Sequence, residues 1–476
     1  MLGSNQAQEQ SADLTTLTLT EASEQIRERR VSPVALTRAC LARIEKLNPT
    51  LNAFITVTAE SALAEARASE TEIQRGRWRG LLHGVPIALK DLFDTAGVRT
   101  TAASGVYKDR VPSEDAEVVR RLKSAGAVLL GKTNMHEFAY GGTSAVSFFG
   151  AVRNPWNTAN IAGGSSGGSA VAVATGMCFG ALGSDTAASI RQPASFCGVV
   201  GLKPTYGSVS TRGAIPLSWT FDHVGPIARN VADSAVLLHG IVGHDPLDLN
   251  SVAMPKPDYG AALRRKVSSL RVGVARAFFF ADLDPEIDTA VADALRVLEK
   301  LTAGLRDVTL AAANLETMRA AVRSAEAYAY HAELVEKSPE LYQPETLARL
   351  RADAGAKTTA YILARREVDR TRRASAAVFE SVDVIVTPTV PVQPPLLADV
   401  GASVASSMAL GARTIRNTSP FNVYGWPTIS VPCGFTRSGL PIGLQIAAAN
   451  GADATVLQVA NAYEQVTDWH KRRPPT

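Results

Sequence analysis

The stretch Gly163–Pro193 reads GGSSGGSAVAVATGMCFGALGSDTAASIRQP, and its reading decides the fold. It opens on small residues, Gly163–Ser169, and continues as an apolar helical stretch, Ser169–Thr175. A short β-prone run, Phe179–Leu182, follows and ends in a polar, hydroxyl-rich turn, Gly183–Pro193. The same texture recurs outward along the chain. Apolar runs at Val85–Leu89, Ala127–Leu130, Val199–Leu202, Val384–Val386 and Thr428–Val431 are each bounded by Gly or polar loops. Runs of this length with turn formers at both ends read as buried strands. Between them lie helical stretches such as Asp115–Ala125, Val231–Val242 and Pro285–Leu301. The alternation predicts an α/β fold with a mixed, largely parallel central sheet covered by helices on both faces.

Two segments depart from that texture. Thr20–Asn48 carries apolar residues at helical spacing broken at Ser32-Pro33, which predicts a helical hairpin with Pro33 in the first turn of the second helix. Glu316–Phe379, rich in Ala, Arg and Glu, reads as amphipathic helices without strands and is expected to form a cover over the sheet. The organisation expected is a polar tail over 1–15 and one α/β domain over 16–476 that includes this cover.

Composition narrows the function. With 49 Lys+Arg against 45 Asp+Glu the net charge is +4, and 46% of the 476 residues are hydrophobic. So even a balance gives no basic footprint for nucleic acid, and the apolar content suits a large globular core. Cys40, Cys178, Cys197 and Cys433 are dispersed with no CxxC pair, so neither a zinc site nor a disulfide framework is signalled. The first fifteen residues show no secretory pattern and no window offers eighteen consecutive apolar residues, so the expected location is the cytoplasm.

Context decides between several motifs. Gly126–Thr133 (GAVLLGKT) fits the phosphate-loop pattern, but its variable positions are Ala-Val-Leu-Leu, a strand rather than an exposed turn. Gly163–Gly167 fits the nucleophile elbow G-x-S-x-G, yet turn formers at Asn154–Asn157 stand where a strand is required. The seven histidines are scattered and no metal-ligand spacing is visible. What remains is a site of Ser and Lys. Gly163–Ser169 puts N–H groups and hydroxyls at the start of an apolar helix, which favours an oxyanion; a flexible linker is the alternative. Lys90 ends an apolar run and, if buried, would be a neutral base near pH 7; a surface lysine at a strand end is the alternative. The hydroxyl turn after Leu182 lies where sites form in α/β sheets, though an ordinary surface turn has the same composition.

Together these segments resemble the amidase signature family of serine hydrolases. The resemblance runs through the spacing from Ser165 to Ser189 and through Gly198–Gly207 (GVVGLKPTYG), Phe221–Ala228 (FDHVGPIA), Val384–Pro388 (VIVTP) and Leu440–Gln445 (LPIGLQ), in family order. It implies a triad in which Ser189 is the nucleophile, Ser165 a bridging serine after a cis peptide bond, and Lys90 the base. It also implies an oxyanion hole from the backbone N–H groups of Thr186, Ala187, Ala188 and Ser189. Where the family has Gly-Gly before the nucleophile this chain has Ala187-Ala188. A positive φ there would strain alanine; otherwise the two methyl groups reshape the acyl pocket.

The function expected is hydrolysis of the C–N bond of a neutral amide or carbamate (urethane) through an acyl-enzyme. No cofactor or metal is expected, the partner is a small-molecule substrate rather than nucleic acid or membrane, and a homodimer is compatible with the sequence. Tyr140, Phe148, Trp219, Tyr328, Tyr330 and Phe421 are the expected substrate contacts. Two alternatives are the glutaminase subunit of a tRNA-dependent amidotransferase and a non-catalytic binding protein on the same scaffold. The amidotransferase pattern has an acidic residue about a dozen positions before the proline that is Pro427 here; Ile415 occupies that place, beside Arg413 and Arg416. This ranks the stand-alone enzyme first.

Overall fold

The structure, a computed structural model, describes residues 13–310 and 315–475. Most of the polar start, residues 1–12, therefore lies outside the described residues. Eleven strands build one sheet: β1 (Phe54–Val57), β2 (Pro86–Lys90), β3 (Val128–Thr133), β4 (Gly180–Asp185), β5 (Val200–Lys203), β6 (His223–Ala228), β7 (Val272–Val274), β8 (Leu305–Asp307), β9 (Val384–Pro388), β10 (Thr428–Phe435) and β11 (Pro441–Ala448). Their order is β1-β3-β2-β4-β6-β5-β10-β11-β9-β7-β8. The sheet is mixed, as expected, but its balance differs from the expectation. Parallel pairing is confined to β2 with β3 and β4, and to β7 with β8 and β9; the remaining neighbours run antiparallel. The β10–β11 hairpin and the antiparallel placement of β6 between β4 and β5 account for the difference.

β2, β3 and β4 are buried at every residue, as their apolar and small stretches suit strands covered on both faces, and their polar ends, Lys90, Lys132-Thr133 and Ser184-Asp185, are buried with them. Of the run GAVLLGKT the last six residues, VLLGKT, are β3, so its Gly-Lys-Thr end is part of the ladder and no phosphate loop forms. The parallel register pairs Ile87 with Gly180 and Leu89 with Leu182. Lys90 and Ser184 thereby reach the same end of the sheet. Behind β4, the helix Gly167–Ala174 is buried along its whole length. A Cβ on Gly168 would lie 2.3 Å from the Asn134 carbonyl oxygen and 2.4 Å from that of Ala53, so glycine is required there for the helix to close on the sheet.

The helical hairpin forms as Leu19–Arg27 and Pro33–Leu51, each with its N-cap: Thr18 in a capping box, and Ser32 accepting from Val34 and Ala35. The segment read as strandless helices forms Leu315–Lys337, Pro344–Asp353 and Thr358–Ser375. Leu315, Val322 and Val368 anchor it in an aromatic cluster with Phe279, Phe421, Tyr424 and Trp426.

Candidate active site

Lys90 is the last residue of β2 and is fully buried. Its Nζ lies 2.7 Å from Ser165 Oγ and 2.8 Å from Ser184 Oγ. Burial strips the ammonium of its hydration and pulls the lysine pKa from the ordinary 10.5 down to about 7, with the Asp185 and Asp222 carboxylates opposing the shift. Asp91 faces away, as alternation along a strand requires, and accepts from the Thr101 N–H at 3.0 Å.

The Gly164–Ser165 peptide bond is cis. Its neighbours hold it from both sides. The Gly164 N–H donates to Gln192 Oε1 at 2.8 Å, while the Ser165 carbonyl accepts from the His136 N–H at 3.1 Å. Gln192 is itself fixed through Nε2, which donates to the Gly142 carbonyl at 2.9 Å and to Thr414 Oγ1 at 2.8 Å.

Ser189 sits in the turn after β4, with its carbonyl accepting from the Ser166 N–H at 3.2 Å. Among the described residues Ser189 Oγ makes no hydrogen bond, and no acceptor takes the backbone N–H groups of Thr186, Ala187, Ala188 or Ser189. Neither Ala187 nor Ala188 has a positive φ, so alanine is unstrained there and its methyl groups shape the wall of the cavity.

A buried ion pair supports this turn from below. Arg191 donates to both Asp185 oxygens at 3.0 Å and also reaches Asn422 Oδ1 at 2.6 Å, Gln445 Oε1 at 2.8 Å and the Ala187 carbonyl at 3.2 Å. Burial alone would raise the Asp185 carboxyl, but the adjoining Arg191 guanidinium holds it well below the usual carboxylate range. Lys132 and Lys203, the other buried family-segment lysines, are bound elsewhere. Lys132 reaches the Phe93 carbonyl and the Thr95 and Thr100 hydroxyls, and Lys203 reaches the Trp426 carbonyl at 2.6 Å.

Two cavities meet at this point, sharing Ala139, Thr186 and Leu217. One of about 250 Å³ contains Ser189, Ala187 and Ala188, with Tyr140, Arg319, Arg323, Arg349, Met408 and Ile415 on its walls. The other, about 490 Å³, opens past Ser184, Asp222, Trp219 and Tyr330 toward the exposed Leu247 and Leu249.

The aromatic contacts expected from sequence divide between these spaces and the core. Tyr140 lines the Ser189 cavity, while Trp219 and Tyr330 line the larger one. Tyr328 lies in an outer recess with Trp219 and Tyr361. Two expectations fail. Phe421 is fully buried against Phe279 and Trp426, because the short helix Pro420–Tyr424 points it into the aromatic cluster. Phe148 is half-exposed against Phe149 and lies outside all three spaces. Sequence reasoning misses Ser184 as a second partner of Lys90, and it misses Arg319, Arg323 and Arg349. Arg319 and Arg323 stand four apart in one helix and so share a face, the signal that could have found them.

The amidase family model matches residues 35–457. The chain belongs to the amidase signature family. Among curated relatives, a subunit of the glutamyl-tRNA(Gln) amidotransferase of Moorella thermoacetica is 41% identical over 486 residues, spanning 97% of this chain and 99% of that protein. Among solved structures, a chain of a vestigial complex bearing on the origins of an s-triazine catabolic enzyme is 32% identical with a TM-score of 0.89, covering 97% of this chain and 100% of that one. The peptide amidase of Stenotrophomonas maltophilia is 32% identical with a TM-score of 0.83, covering 96% of this chain and 98% of its own. Membership carries the α/β amidase fold with it. Among the described residues no helix is long and apolar enough to cross a membrane, and no group of three His, Cys, Asp or Glu is placed to hold a metal ion.

Proposed function

We propose that this chain hydrolyses an amide C–N bond with Ser189 as nucleophile, Ser165 as proton bridge and Lys90 as base. The observation that carries the reading is the buried contact of Lys90 Nζ with Ser165 Oγ at 2.7 Å, made by a lysine whose pKa is drawn down to about 7. A neutral amine can take the Ser165 proton as Ser165 takes that of Ser189. Ser189 Oγ then bonds to the carbonyl carbon, and the unengaged N–H groups of Thr186–Ser189 receive the oxyanion. Returned through Ser165, the proton goes to the nitrogen as the C–N bond breaks, and water completes the cycle on the acyl-enzyme. A carbamate carbonyl is open to the same attack. The free N–H groups and the cavity around Ser189 favour an enzyme over a binding protein.

A second reading, the glutaminase subunit of a tRNA-dependent amidotransferase, is favoured by the curated relatives, whose names are of that kind. It outranks the stand-alone enzyme on similarity, while Ile415 on the cavity wall argues against it, offering no carboxylate where that pattern has one. Released ammonia or amine measured over glutamine, alkyl amides, aryl amides and carbamates separates the two. Turnover confined to glutamine selects the amidotransferase reading; turnover of simple amides selects the stand-alone hydrolase; no turnover of any of them, with Ser189 intact, contradicts both.

A further inference from the structure

Three guanidinium groups, those of Arg319, Arg323 and Arg349, line the 250 Å³ cavity that contains Ser189. Two of them are matched. Arg319 pairs with Glu316 at 2.5 Å and Arg349 with Glu345 at 2.7 Å. Arg323 is different. Among the described residues no carboxylate pairs with it, its Nε is buried without an acceptor, and its Nη2 reaches only the neighbouring Ser324 hydroxyl at 3.4 Å. Arg323 and Arg349 lie over the same ring, that of Tyr140, at 5.3 and 5.6 Å from its centroid, so this ring holds the two side chains together. The Tyr140 hydroxyl is committed to Asp353, which is not part of the cavity wall.

The wall therefore carries one positive charge more than it neutralises. Arg323 is half-buried on the cavity wall with no carboxylate partner, and a planar carboxylate is the group a guanidinium fork binds best. The rest of the wall is small or apolar, with Ala187, Ala188, Leu217, Met408 and Ile415. Glu316, the acidic member among the described residues of the wall, is already taken by Arg319. That leaves no carboxylate among them to receive an ammonium.

We propose that the acyl half of the substrate carries one carboxylate and no ammonium: a monoamide of a short dicarboxylic acid, its amide carbonyl at Ser189 and its carboxylate at Arg323 and Arg349. The proposal rests on Ser189 being the nucleophile. It replaces the neutral acyl group expected from sequence, and the small volume limits the chain to a few carbons. Attack by Ser189 Oγ forms the ester and expels the amine with the relayed proton; water then cleaves the ester to the free dicarboxylate.

The test uses the full chain and three amides of equal length: glutaramate, valeramide, which lacks its carboxylate, and glutamine, which adds an ammonium. The expected kcat/KM for glutaramate exceeds that of each of the others by about tenfold or more. Arg323→Gln should bring the glutaramate-to-valeramide ratio toward one, and Arg323→Lys, which keeps the charge, should leave it higher than Arg323→Gln does. Calorimetric titration of Ser189→Ala, which cannot form the acyl-enzyme, with glutaramate and with valeramide reads the same subsite without turnover, and only glutaramate should bind. Valeramide or glutamine turned over as well as glutaramate, or valeramide binding as well as glutaramate, overturns the proposal. Selective glutaramate binding by that variant, with no turnover of any amide by the parent, would overturn the hydrolase reading and leave the carboxylate subsite standing.

Discussion

Lys90, bonded to Ser165, and Arg323, on the wall of the Ser189 cavity, are two basic residues that the structure treats in opposite ways. Lys90 is sealed at the end of β2 between two serine hydroxyls, where its charge is disfavoured. Arg323 sits on a cover helix, stacked over a tyrosine and keeping a charge that no described carboxylate balances. The first region is made by the sheet: β2, β4 and the turn after it hold the residues of the proposed relay, and Arg191 with Asp185 locks that turn from beneath. The second is made by helices outside the sheet, whose arginines are matched mostly within their own helix, Glu316 with Arg319 and Glu345 with Arg349. On the proposed reading, reaction chemistry belongs to the sheet and the turn beside it, and selectivity to the helices outside the sheet.

If that division holds, substitutions in the two regions have effects of different kind and size. Ser189→Ala should lower kcat by at least about 10³-fold with the fold unchanged, checked by single-turnover kinetics and circular dichroism. More than a few per cent of parent activity in a well-folded variant would remove Ser189 from its role. Lys90→Ala should cost on the order of 10³-fold, and Lys90→Arg a similar amount, because guanidinium stays protonated and cannot accept the Ser165 proton.

Below the relay the expected effect is on stability. Asp185→Asn leaves the Arg191 charge unbalanced in the core and should cost about 3–5 kcal/mol of unfolding free energy, measured as a lowered urea midpoint. A change under about 1 kcal/mol would show that Asn422 and Gln445 suffice to hold the arginine. In the cover, alanine at Tyr328, Tyr330 and Tyr361 together should shift relative kcat/KM across a panel of small and bulky amides by a few-fold, about 1 kcal/mol in discrimination, while the fold persists. An unaltered profile would mean that the outer recess and the larger cavity do not touch substrate.

The same division explains what can be read from sequence. The residues proposed for the relay lie in or beside short apolar runs whose strand period and glycine turns are local signals, so β2 with Lys90 at its end, the small-residue stretch before the helix Gly167–Ala174 and the hydroxyl turn after β4 can be read locally, while the choice of Ser165 and Ser189 within them comes from the family resemblance. β6 (HVGPIA) and β11 (PIGLQIAA) do not read as strands because each carries Pro and Gly; Pro226 and Gly225 nevertheless pair with β4. The sheet's antiparallel share is hidden for the same reason, since those two strands carry much of it. Phe421 illustrates the limit for aromatic residues, where neither composition nor spacing separates a core ring from a pocket ring. The acyl wall cannot be assembled from sequence at all: Ala187, Arg323, Arg349 and Ile415 come from four distant segments that only the tertiary fold brings to one cavity.

The pH dependence of kcat/KM tests the central claim, the neutral Lys90 relay, most directly. Only the deprotonated amine can act as the base, so a lysine pKa lowered to about 7 makes the rate climb with pH through about 7 and level off above it. Below that point the rate should fall about tenfold per pH unit. A profile that is flat across this range, or that keeps rising toward the ordinary lysine value near 10.5, would contradict the account.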